Sequence, residues 1–204
     1  MAEKKTILRI LRKDPLLILF LFCLAVLTVS YVQLDYLLPL HLSQLFGLDT
    51  GSKFSSLIWT INGIICVFFT PMIISFSKKL HPLKNIGIAA LFYAAGFFLY
   101  SVSTTTYEFA IGVIIWTSGE ILISTCAGIY IADQMPETHK GRSMGLYEFT
   151  RGFGRCLGPA LCGYYLISHS YNQAWQLIAV FCLLTDGILW YLVYRRKKTN
   201  PRIT

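Results

Sequence analysis

Charge is scarce in this sequence. Of its 204 residues only 14% are Asp, Glu, Lys or Arg, against 55% hydrophobic and 15% aromatic, whereas a soluble domain carries about a quarter charged residues. So few charges cannot cover the surface of a water-soluble fold of this length, which excludes a soluble globular protein. The patterns of catalysis are missing as well. No CxxC pair occurs, and Cys23, Cys66, Cys126, Cys156, Cys162 and Cys182 all lie in apolar stretches. They read as small packing residues, not as a disulfide framework. His41, His81, His139 and His169 are scattered near helix ends or loops, too dispersed for a metal cluster. There is no HExxH, no phosphate-binding glycine loop followed by Lys and Ser or Thr, and no nucleophile with a nearby base. His169 and Ser170 stand together without a third member. No enzyme, metal or cofactor is expected.

The net charge of +8 raises nucleic acid as a partner, and placement removes it. Lys4, Lys5, Arg9, Arg12 and Lys13 precede the first apolar run; Lys78, Lys79 and Lys84 lie in one connection, Lys140 and Arg142 in another; Arg195, Arg196, Lys197, Lys198 and Arg202 end the chain. These clusters fall at alternate ends of the apolar runs, whereas a nucleic-acid stripe forms one surface.

What the chain has in quantity is long apolar runs. The first, PLLILFLFCLAVLTVSYVQLDYLLPLHLSQLF (15–46), exceeds the roughly 20 residues a crossing requires. It predicts one long helix, bent or loosened near Pro39 and ending at Gly47. A signal peptide is excluded by its length, by the absence of a small-residue cleavage site and by five further runs behind it. Those are expected at 54–76, 85–102, 108–132, 143–168 and 173–194, joined by GLDTGSK, SKKLHPLK, STTTY, ADQMPETHKGR and SHSYN. They must be helices, because backbone amides in hydrocarbon have to be paired within their own segment. The fold expected is all-alpha and integral to the membrane, with a basic segment at 1–14, a six-helix bundle at 15–194 and a basic tail at 195–204. Fifteen of the 18 Lys and Arg fall on one side of that arrangement and only Lys53 on the other, which places both termini in the cytoplasm.

Against this background a few polar residues stand out. Glu120 lies near the middle of the fourth run, at a depth where an unpaired ionised carboxyl costs several kcal/mol. Arg151 and Arg155 in the fifth run are spaced i,i+4, and Glu148 is i,i+3 from Arg151, so all share one side. The spacing predicts a buried network of Glu120 with the two arginines. It serves either a cavity that holds charge or passes protons, or an interhelical clamp with arginines reaching toward headgroups. Tyr31, Gln33 and Asp35 in the outer half of the first run, with Trp59, Asn62 and Trp116, are candidates for lining the same space. Asp35 reads equally as a cation or proton site and as an interfacial residue; Asp186 is a weaker candidate near the cytoplasmic side. Gly145, Gly154, Gly158, Pro159 and Gly163 punctuate the fifth run. Gly154 and Gly158 form a small-xxx-small pair that admits a close neighbour, and Pro159 frees a backbone carbonyl and bends the helix.

Four stretches then carry a resemblance across nearly the whole chain. They are RKDPLLILF with YVQLDYLLPLHLSQLFG, the second span with its basic loop, WTSGEILIS, and ADQMPETHKGRSMGLYEF. Together, and in this order, they resemble the C-terminal six-helix half (a 3+3 repeat) of a major facilitator superfamily transporter, most similar to bacterial drug–proton antiporters. The glycine series resembles the antiporter motif, with Cys162 in place of a glycine. The loop SFSKKLHPLK departs from the family pattern in having no acid; Asp133 and Arg142 remain as latch residues in the fourth connection. The resemblance implies proton-coupled efflux of small amphiphilic solutes from the bacterial cytoplasmic membrane, with membrane lipid, solute and protons as partners. Uptake of a sugar or metabolite by symport, or a non-transporting scaffold, are the alternatives. It also implies a second six-helix half, missing by truncation, supplied by another chain, or replaced by a homodimer mate.

Overall fold

The computed structural model describes residues 11–12, 14–136 and 140–199, without the side chains of Lys140 and Thr199. The basic residues expected at positions 4, 5, 9, 13 and 202, and 137–139 of the fourth connection, lie outside the described residues. All described elements are helical: α1 (Pro15–Tyr31), α2 (Gln33–Phe46), α3 (Leu48–Ser77), α4 (Pro82–Val102), α5 (Thr106–Asp133), α6 (Lys140–Leu166) and α7 (Tyr171–Thr199). Five stretches are long and apolar enough to cross a membrane: Pro15–Phe46, Leu48–Ser77, Pro82–Val102, Thr106–Asp133 and Tyr171–Lys198. The remaining long helix, α6, has 27 residues, but its glycines and its Glu148, Arg151 and Arg155 dilute its hydropathy.

Local chemistry sets where the helices start. Asp14 accepts from the Leu17 N–H at 3.2 Å with Pro15 at the first helical position, the preferred arrangement at an N-terminus. His81 Nδ1 accepts from the Leu83 N–H at 3.2 Å ahead of Pro82, so α4 begins before residue 85. The Glu108 carboxylate accepts from the N–H groups of Thr104 and Thr105 at 2.7 and 2.9 Å, closing the first turn of α5. Gly47, at φ 84°, makes the whole turn between α2 and α3, a conformation that glycine adopts without steric cost. The expected GLDTGSK link is therefore mostly helix: α3 starts at Leu48, six residues ahead of the expected boundary.

The first run is interrupted once, and α2 continues through Pro39. The interruption is at Val32. There the Asp35 N–H bonds to the Val32 carbonyl three residues back, and the Gln33 side chain donates to the Val29 carbonyl at 3.0 Å. Val32 itself keeps helical dihedrals (φ −64°, ψ −14°) and its N–H bond to the Thr28 carbonyl, so the interruption is local.

In the bundle α4 is central, with 61% of its most apolar window buried, and α3 is peripheral, with 17%. α4 packs on α5 and α7, α1 on α6 and α7, and α2 on α3. Each end is clamped. At one end Arg196 of α7 forms an ion pair with Asp14, beside Tyr130 of α5, whose ring packs 4.4 Å from Phe20. The last helix continues into the expected basic tail as far as Thr199. At the opposite end the Trp175 indole donates to His41 Nδ1 at 3.2 Å, and the Trp116 indole to the Tyr100 hydroxyl at 2.8 Å. All four of these side chains are fully buried.

Candidate functional site

Between the clamps, about halfway along α5, sits Glu120. The Tyr31 hydroxyl, in the last turn of α1, donates to its Oε1 at 2.7 Å, and Asn62 Nδ2, from α3, donates to its Oε2 at 2.8 Å. One carboxyl therefore joins three helices. Both donors are held in place. The Tyr31 ring stacks on Tyr93 at 6.0 Å and meets Trp116 edge-on at 6.2 Å. Asn62 also donates to Thr117 Oγ1 at 3.0 Å, so both of its N–H donors are engaged. Trp59 meets Trp116 at 6.0 Å. Thr117 was no sequence candidate, although its i−3 spacing from Glu120 in WTSGE puts it on the same helix face.

The expected carboxyl–guanidinium network does not form. Among the described residues neither arginine reaches Glu120, whose oxygens are occupied by Tyr31 and Asn62. Arg151 bonds to Glu148 at 3.4 Å and lies 5.3 Å over the Tyr147 ring, a favourable cation–π distance. It nevertheless shares a cavity of about 50 Å³ with Glu120, Tyr31, Tyr93 and Tyr147. That is room for a few waters at about 10–15 Å³ each. Arg151 thus faces the carboxyl across a small space. Arg155 is exposed.

The glycines explain this placement. A Cβ on Gly154 would lie 2.9 Å from Thr28 Cβ, and one on Gly158 would collide with Val32 Cγ1. So α6 presses against α1 just where the first run is broken, and carries Arg151 to the cavity. Pro159 continues α6 without an N–H, which leaves the Arg155 carbonyl without its helical donor. Gly163 approaches the Tyr36 hydroxyl, within 3.0 Å of a Cβ there, whereas nothing lies within 4 Å of Gly145, which is no packing residue in this bundle.

The other candidates disperse. Gln33 is buried but lines a different cavity, on the α6–α7 side of α1. Trp116 is committed to Tyr100 and touches the site only through its ring contact with Tyr31. Asp133 and Arg142 are both exposed, and among the described residues no ion pair joins them. Asp186 lies beside Trp190, both near Gly87 of α4, and does not line the Glu120 cavity.

Comparison with known proteins agrees with this architecture. The chain is similar to an uncharacterized MFS-type transporter, YqjV, of Bacillus subtilis (strain 168), at 24% identity over 152 residues, 74% of this chain and 37% of that protein. It is also similar to a Na(+), Li(+), K(+)/H(+) antiporter of Planococcus maritimus, at 19% identity over 162 residues, 74% of this chain and 38% of that one. The chain thus spans well under half the length of these relatives. The family profile of the Major Facilitator Superfamily matches residues 2–159, and the chain belongs to that superfamily of transporters.

Proposed function

We propose that this chain is one six-helix half of a proton-coupled secondary transporter, with α6 as its fifth span and both termini cytoplasmic, and that Glu120 is its proton-binding group. The observation that carries the reading is the double acceptance at Glu120. Both oxygens receive hydrogen bonds, which suits a carboxylate. A proton on Oε2 would face the Asn62 amide, a group with no capacity to accept through its nitrogen. A proton on Oε1 is tolerated if the Tyr31 hydroxyl turns from donor to acceptor. Protonation is therefore felt first by Tyr31, the residue before the break at Val32. Arg151 lines the same cavity. Exchange of a proton for a solute then shifts the balance between two arrangements of the same helices. The exposed apolar side chains of α3 and α6, among them Phe68, Phe76, Phe153 and Leu161, are available to lipid and to the second half.

Two substrate classes remain. The resemblance to drug–proton antiporters favours a small amphiphilic solute carried between the two halves. The 50 Å³ of space beside Glu120 suits a monovalent cation instead, and one relative is named as a Na(+), Li(+), K(+)/H(+) antiporter. Proteoliposomes containing this chain with a complementing six-helix half separate them, because an imposed proton gradient drives lipophilic cations in the first case and sodium or potassium in the second. Glu120→Gln abolishes proton coupling in either case. Unchanged coupling and rate in that variant would remove Glu120 from the mechanism.

A further inference from the structure

A groove runs along the outside of the bundle between α4 and α7. It holds about 650 Å³ and is lined by Leu91 and Phe98 of α4 and by Val180 and Leu183 of α7, all of them exposed. Apolar side chains alone do not say what fills it; the end of the groove does. Leu91 and Phe98 are seven residues apart, close to two helical turns, and the preceding position of that series is Lys84. On α7, Val180 and Leu183 continue at spacings of four and three through Gly187 and Trp190 to Tyr194. The two helices run antiparallel. Trp175 packs on Phe97 and Tyr100 at 5.6 and 5.3 Å near one end, and Trp190 lies against Gly87 near the other. One turn beyond that last contact, Lys84 comes level with Tyr194. The apolar groove therefore ends at Lys84, with Lys197 and Lys198 on the next turn of α7.

Lys84 is half-buried, and among the described residues no carboxylate pairs with its ammonium or with those of Lys197 and Lys198. Asp186 of α7 comes near Gly87, but one of its oxygens is sealed inside the bundle and no ion pair joins it to Lys84. A cation partly withdrawn from water without a counter-charge is unfavourable, and an anion held beside it offsets the cost. Trp190, Tyr191 and Tyr194 are exposed at this same level, and Trp and Tyr settle at the headgroup depth of a bilayer. We propose that the groove and Lys84 together hold an anionic phospholipid. Its acyl chain lies along the apolar wall, and its phosphodiester sits at Lys84 with Lys197 and Lys198 adding to the field. Charge complementarity selects an anionic lipid over a zwitterionic one. The site requires a bilayer around the chain, but neither transport nor a proton at Glu120.

The test uses the full chain in nanodiscs of phosphatidylcholine and phosphatidylglycerol. A trace of either lipid carries the same diazirine on its acyl chain, and adducts are mapped by mass spectrometry. The phosphatidylglycerol probe should label the Leu91–Phe98 and Val180–Leu183 segments at least about fivefold more than the phosphatidylcholine probe, the worth of one lysine near an anionic headgroup. Raising the salt concentration should shrink that preference. Lys84→Gln should lower it about fivefold, and Lys84→Arg should keep it. Arg142→Gln removes an equal charge from the start of α6, which does not line the groove, and should leave the preference unchanged. Nothing lies within 4 Å of a Cβ at Gly187, so Gly187→Phe fills the groove without a clash. It should suppress labelling by both probes, and it serves also if Lys84→Gln disturbs the start of α4. Equal labelling by the two probes in the parent, or an equal loss in Lys84→Gln and Arg142→Gln, would overturn the proposal. So would a groove closed to both probes by a second copy of the chain, seen as crosslinks between α4 of one copy and α7 of another.

Discussion

At the scale of single residues, what matters is which oxygen or nitrogen is left with a partner. Asn62→Leu removes the donor to Glu120 Oε2 and should cost about 1–3 kcal/mol, the penalty of a buried acceptor left unpaired; denaturation in mild detergent measures it. Tyr31→Phe should cost about as much, and the double variant less than the sum, because both act on one carboxyl. His81, in the connection before α4, gives a pH dependence. Burial holds its pKa below the ordinary value, with Asp133 opposing and Lys84 adding to the effect. The folded chain therefore binds this proton less readily than the unfolded chain, and stability is lost as the pH falls through the ordinary histidine range of about 6.5. Protonation would also end the acceptor role of Nδ1 at the Leu83 N–H. Melting temperatures followed from about pH 7.5 to 5 should decline. His81→Asn, which caps without titrating in this range, should flatten that part of the decline.

At the scale of helices, the decisive contact is α6 against α1. Gly158→Ala should destabilise by about 1–3 kcal/mol through overpacking, and Val32→Ala in the same chain should recover much of the loss, because Val32 Cγ1 is the atom in the way. A melting-temperature series of the two single variants and the double reads this directly. The need for glycine here was legible in the sequence, as were the apolar runs, the stop at Gly47 and the isolation of Glu120, because each depends on composition or short spacing. The partners of Glu120 were not. Tyr31 and Asn62 lie 89 and 58 residues away along the chain, and charge alone pointed to arginine. Whether a guanidinium or a phenol reaches a carboxyl is settled by the rotation of each helix about its axis. The break at Val32 was equally hidden, because neither glycine nor proline marks it.

At the scale of the whole molecule, the bundle is held by its two ends. Asp14 does double duty, capping α1 and pairing with Arg196 from 182 residues later. A basic tail gives no hint in sequence that one of its arginines turns inward. With side chains 15% and 24% exposed, removing one partner strands the other. Arg196→Met should cost about 3–5 kcal/mol, and the Asp14→Leu, Arg196→Leu double variant considerably less, as read by unfolding in detergent. The opposite clamp, His41 with Trp175, fixes the far part of α2 to the start of α7. A rod of 32 residues is thus pinned near both ends, and its one irregularity, Val32, lies next to Tyr31 and so beside Glu120. The 14-residue α2 is an arm of about 21 Å at about 1.5 Å per residue, so a tilt of about ten degrees at that joint displaces its tip by about 4 Å. That exceeds the width of a water molecule. If Glu120 is the proton site proposed above, the turn of one phenol hydroxyl acts at this joint, and the His41–Trp175 clamp at the far end is the contact that must give before the arm can move.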